Sequence, residues 1–183
     1  RKFCIAVIAL AVLATAAQAG TIHYKFTGEL ESGDISEQSG DYDDVDVGDS
    51  FSGEFKFDST DLVWTKVTDD LYTAVFKSGA TIDWEVSIGG NDFSPADAPG
   101  ISPLDTIVVV DEDSSGTDSI TLASAYNSTL IFMVTLEGSD PISNPGVGGT
   151  DTTDWNKRVL DFGYHSGDST LRIQADLATI TFV

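Results

Sequence analysis

Between residues 51 and 58 apolar and polar side chains alternate strictly. Phe51, Gly53, Phe55 and Phe57 fall on one side of an extended chain, and Ser52, Glu54, Lys56 and Asp58 on the other. A period of two marks a strand half-buried against a core, because successive side chains of an extended backbone point to opposite faces. Ile82, Trp84, Val86 and Ile88 alternate with Thr81, Asp83, Glu85 and Ser87 in the same way, and Gly89-Gly90-Asn91-Asp92 supplies a turn before Phe93. Both stretches are expected to direct their apolar faces into one core.

The same pattern recurs over Ile22–Thr27, Leu71–Phe76, Thr106–Val110, Ser119–Ala125, Leu130–Leu136, Val159–Tyr164, Thr170–Ala175 and Ala178–Val183, bounded by Gly, Asp, Ser, Asn and Pro clusters. Helical spacing is not sustained beyond the first nineteen residues, and a short helix over Ser59–Leu71 is the one place where it competes. Roughly nine or ten short strands with regular turn signals imply an all-β fold, an antiparallel β-sandwich of jelly-roll type. A β-helix would need a regular internal repeat, which the sequence lacks. Loops are expected at Glu31–Ser50, Ser94–Pro103, Asp111–Asp118 and Gly138–Asp154.

Residues 1–19 read as a cleavable secretory signal peptide: Arg1 and Lys2 precede an apolar run to Ala17, and Ala17-Gln18-Ala19 is a small-x-small cleavage site. The run falls short of the roughly 20 residues that cross a bilayer, so no membrane span is expected in the mature chain. Residues 20–183 then form a single domain. Cys4, the one cysteine, lies within the signal, so the domain is thiol-free and depends on its hydrophobic core. All 30 acidic residues lie beyond the signal, whereas Arg1 and Lys2 account for two of the nine basic ones, which leaves the domain near −23. Such charge repels nucleic acid and anionic membrane, so neither is expected as a partner.

Candidate chemistry lies in the acidic loops and the tryptophans. Asp111, Asp113, Ser115 and Asp118 alternate oxygen ligands on a Gly-containing loop, the beginning of a calcium site. A twelfth-position carboxylate is missing, since Leu122 stands there, and the flanks read as strands. The alternative reading is a solvated hairpin loop, so no cofactor is expected unless this loop takes calcium. Asp41, Asp43, Asp44, Asp46 and Asp49 form a second acidic cluster with the same two readings. Trp155 and Trp64, with Tyr126, are the aromatic side chains expected to stack on a sugar ring, whereas Trp84 belongs to the core by its alternation. Nucleophilic catalysis finds little support. No Gly-x-Ser-x-Gly elbow occurs, and the two histidines, His23 and His165, read as a strand-face residue and a turn residue. The abundance of carboxylates brings some pair together in any fold, so spacing alone does not mark a glycosidase.

Three segments carry a family resemblance: Ile22-His23-Tyr24-Lys25-Phe26-Thr27-Gly28, Val47-Gly48-Asp49-Ser50-Phe51-Ser52-Gly53-Glu54-Phe55-Lys56-Phe57-Asp58, and Val86-Ser87-Ile88-Gly89-Gly90-Asn91-Asp92-Phe93. With the signal peptide, they resemble the exported domains of PEP-CTERM sorting proteins of Gram-negative bacteria. The resemblance implies a cell-surface or extracellular-matrix setting and carries over no catalytic residue. Such proteins end in a Pro-Glu-Pro anchor, and this sequence stops at Val183, where the anchor would be expected to start. The expectation is thus a secreted, non-catalytic surface or matrix protein that self-associates or meets extracellular polysaccharide. The alternative is a carbohydrate-binding module, with or without calcium.

Overall fold

The alternating segments become strands of two antiparallel sheets in the computed structural model, which describes residues 21–66, 71–76, 79–110, 118–138 and 155–183. The smaller sheet comprises β1 (Thr21–Glu29), β3 (Ser50–Asp58), β6 (Asp83–Ile88), β7 (Asn91–Phe93) and β13 (Thr179–Phe182), in the order β13-β1-β3-β6-β7. In the larger one lie β2 (Ile35–Ser39), β4 (Leu62–Lys66), β5 (Leu71–Phe76), β8 (Leu104–Val110), β9 (Asp118–Tyr126), β10 (Leu130–Gly138), β11 (Trp155–Ser166) and β12 (Ser169–Asp176). Their order is β2-β12-β11-β10-β9-β8-β5-β4. The all-β sandwich expected from the sequence is therefore the observed fold. Its early and late strands wrap onto each other as in a jelly roll, β1 on β13 and β2 on β12, while β8 to β12 run as a plain meander.

The core is aromatic. Trp84 stacks on Phe132 at 4.6 Å and 5° between planes, which ties the centre of the small sheet to the centre of the large one. Phe162 meets Trp84 edge-on, Phe93 lies 4.8 Å from Phe162, and Tyr42 closes that end against Phe93 and Tyr164. Offset and edge-on pairs of this kind add about 0.5–1.5 kcal/mol each beyond the area they bury.

Gly53 and Gly28 explain how such large rings fit under one sheet. Phe26 pairs with Gly53 and Gly28 with Phe51 across β1 and β3, so each ring lies over the glycine opposite it. A Cβ on Gly28 would come within 2.1 Å of Phe51 Cζ, and one on Gly53 within 2.5 Å of both Phe26 Cζ and Glu85 O.

Two expectations are corrected. The helix expected over Ser59–Leu71 does not form across its described residues 59–66: Asp58 Oδ1 accepts from the backbone N–H (2.8 Å) and hydroxyl (2.7 Å) of Thr60, turning the chain through one 3₁₀ turn, Ser59–Asp61, into β4. Local capping by Asp58 and the β-branched residues that follow outweigh the weak helical spacing. Nor is Glu31–Ser50 all loop, since it contains β2 and a 3₁₀ turn at Gly40–Tyr42. Gln38 organises this stretch by donating to the carbonyls of Tyr42 (2.5 Å) and Val45 (2.8 Å). The Gly89-Gly90 turn joins β6 to β7 with φ of 56° and 83°, the positive pair that a two-residue hairpin of the primed type requires.

Candidate functional site

Because β1, β3 and β6 turn every second, apolar residue inward, their polar residues are carried together onto the outer face of the small sheet. The register sets these side chains in three rows. One row is hydroxyl-rich: Thr179, Thr27, Ser52, Ser87 and Asp92 lie opposite one another strand by strand. Thr27 and Thr179 share a hydrogen bond of 2.8 Å between their hydroxyls. The next row is Lys25, Glu54 and Glu85, and the third is His23, Lys56 and Asp83.

The second and third rows are linked by ion pairs. Glu54 Oε2 lies 3.2 Å from His23 Nε2 and 3.4 Å from Lys25 Nζ. Lys56 Nζ is 3.9 Å from Glu54 Oε1 and 3.0 Å from Asp83 Oδ2. His23 Nε2 is buried, and Glu54 Oε2 is the carboxylate oxygen that faces it. His23, and then Lys25, hold the Glu54 carboxyl below the usual glutamate range, and Asp83 raises Lys56. Glu54 is thus kept ionised, opposite to what a general acid needs.

A groove of about 660 Å³ runs over the first two rows. Its floor is Lys25, Thr27, Ser52, Glu54, Glu85 and Ser87, and its wall is Asp92 with the turn Ser94–Asp97. That wall is stiffened by reciprocal capping: Asp97 Oδ2 accepts from Ser94 N–H at 2.7 Å, and Ser94 Oγ accepts from Ala96 N–H at 3.3 Å. A volume in this range accommodates a small ligand or a few residues of a polymer. Hydroxyls, the carboxylates of Glu54, Glu85, Asp92 and Asp97, and the Lys25 ammonium offer both donors and acceptors to a hydroxyl-rich ligand.

Of the calcium and carbohydrate candidates, those that are described do not line the groove. Asp111, Asp113 and Ser115 fall outside the described residues, and Asp118 begins β9 opposite Gly138. Among the described residues no group of three or more His, Cys, Asp and Glu is arranged to hold a metal. In the second acidic cluster, Asp49 Oδ2 accepts from Asp46 N–H (2.9 Å) and Asp41 Oδ2 from Ser169 Oγ (3.1 Å), so these two carboxylates brace turns. Trp64 lies in β4 opposite Ala74, and Trp155 opens β11 opposite Gly138, both in the large sheet and away from the groove. Tyr126 is corrected: it is 3 % exposed, its ring turned into the core with Leu122 and Ser124, leaving no face for a sugar. Trp84 is buried, as its alternation implied, and His23 lies on the strand face. His165 is the penultimate residue of β11 instead of lying in the turn, with Nδ1 2.8 Å from Thr170 Oγ1 across the strand pair.

Strand order, not sequence spacing, brings Lys25, Glu54, Glu85, Ser52 and Ser87 together. The available signal was the polar half of the alternations. No family model matches the chain, and neither a curated protein nor a solved structure matches it.

Proposed function

We propose that this protein is an exported, non-catalytic β-sandwich of the cell surface or extracellular matrix that holds hydroxyl-rich polymer in the groove of its small sheet. The observation that carries this reading is the row Thr27, Ser52, Ser87 and Asp92 beside Lys25, Glu54 and Glu85 under an open groove of about 660 Å³. Short hydroxyls on a rigid sheet suit a hydrated, uncharged polysaccharide, since each sugar hydroxyl can donate and accept. Nucleic acid fits poorly with a chain of formal charge −21. Export rests on the signal-like residues 1–19, and the surface setting on the resemblance to PEP-CTERM domains.

Affinity electrophoresis against a panel of neutral and acidic polysaccharides tests the binding. The wild-type protein is expected to be retarded by at least one neutral polymer, and Ser52→Ala with Ser87→Ala to run freely. Equal mobility of both proteins on every polymer overturns the reading. N-terminal sequencing of protein recovered outside the cell should begin at Gly20.

A further inference from the structure

We propose that Asp105 is a proton-operated latch between the two sheets: its carboxyl is neutral in the closed sandwich, and loss of the proton drives this end of the domain to open toward water. Asp105 and Ser124 are the buried polar residues among those described, at 9 % and 0 % exposure. They face each other across β8 and β9. Asp105 Oδ2 reaches over to the other sheet and accepts from Ile82 N–H at 2.8 Å, immediately before β6. That bond joins the large sheet to the strand that carries Glu85 and Ser87 in the groove floor.

Burial without a positive charge nearby disfavours the anion at this position. Asp105 Oδ1, Ser124 Oγ and Trp84 Nε1 are all buried without a hydrogen-bond partner of good geometry. Trp84 stacks on Phe132, which is the cross-strand neighbour of Ser124, so the three atoms belong to one region of the core. Tyr126 from β9 and Asp83 from β6 are the titratable groups that share this region, and neither offers a positive charge. Among the described residues no Lys, Arg or His pairs with Asp105. A proton on Oδ1 makes it a donor to the Ser124 hydroxyl, which faces Asp105 across the strand pair.

Burial raises this carboxyl above 3.8, against the weaker pulls of Ser124 and the Ile82 amide. A raised folded-state value means stability that is complete below the ordinary aspartate range and lost as pH climbs through the raised value. Repulsion within an acidic chain acts in the same direction, so wild type is compared with Asp105→Asn, which keeps the shape and supplies a neutral donor. The measurements are urea unfolding and Ile82 amide exchange on the whole chain from about pH 3.5 to 8. Across the interval between the ordinary and the raised value, the folded-to-unfolded ratio of wild type should fall about tenfold per pH unit relative to Asp105→Asn. The protection of the Ile82 amide, relative to its base-catalysed intrinsic exchange rate, should fall in wild type alone. Parallel stability profiles with identical Ile82 exchange would overturn the latch. Should Asp105→Asn not fold, the ¹³C shift of the wild-type Asp105 carboxyl decides: a midpoint above 3.8 supports the latch and one at or below it overturns it.

Discussion

Replacing Gly53 by alanine adds one methyl group at the most crowded point of the small sheet, and the expected result is a large loss of stability. Ordinarily such a change in a strand gains about 0.4–1 kcal/mol by restricting the unfolded chain. Here the new carbon would lie 2.5 Å from Phe26 Cζ and 2.5 Å from the carbonyl oxygen of Glu85, about an ångström inside ordinary contact. The ring has little room, because Phe26 is 1 % exposed. The carbonyl has less, since it belongs to the β3–β6 pairing, so relief would mean shifting β6. Overpacking of this kind costs about 1–3 kcal/mol, and a backbone obstacle places Gly53→Ala at the upper end. In a domain of this size that lowers Tm by about 5–10 °C. Urea unfolding with a parallel Phe26→Leu, Gly53→Ala double mutant separates the two obstacles. Shrinking the ring relieves only one of them, so rescue should be partial. For Gly28→Ala the three nearest obstacles are all atoms of the Phe51 ring, and Phe51→Leu should rescue it more fully. A neutral Gly53→Ala, or complete rescue by Phe26→Leu, would refute the reasoning.

Two further outcomes follow from the same geometry. Trp84→Ala removes the ring that stacks on Phe132 and should cost about 3–5 kcal/mol, read from the shift in urea midpoint. Glu54 behaves oppositely to Asp105. Its folded-state value is lowered by His23 and Lys25, so its contribution is complete above the ordinary 4.5 and disappears as pH falls through the lower value. Glu54→Gln should therefore flatten the acid limb of the stability profile, modestly and less so in high salt because the pairs are partly exposed. An acid limb unchanged by the substitution would count against the ion-pair network.

Much of the architecture could be read from residue order. The alternations of Phe51 to Asp58 and Thr81 to Ile88 placed the inward residues of β3 and β6 correctly, and Leu71–Phe76 was delimited to the residue. What escaped was β2, whose Ile35-Ser36-Glu37-Gln38-Ser39 has almost no apolar face, because an edge strand needs only its backbone and Gln38 to be held. β4 was hidden behind a turn built by Asp58. Tyr126 stands beside the polar Asn127 and Ser128, yet it is the last inward position of β9 before the turn. The groove could not be read at all, since Glu54 and Glu85 are 31 positions apart and meet only because β3 pairs with β6 while β4 and β5 cross to the other sheet.

The pairing of β1 with β13 sets a kinetic constraint. Tyr24 lies opposite Phe182 and Thr27 opposite Thr179, contacts between nearly opposite ends of the chain. Closing such a span is entropically expensive before it is rewarded, so β-rich chains with distant pairings fold slowly, in milliseconds to seconds. Until Thr179–Phe182 emerges, β1 has a partner on one side only, and the small sheet remains unfinished. The small sheet of such a chain is therefore completed late, when Thr179–Phe182 reaches the free edge of β1.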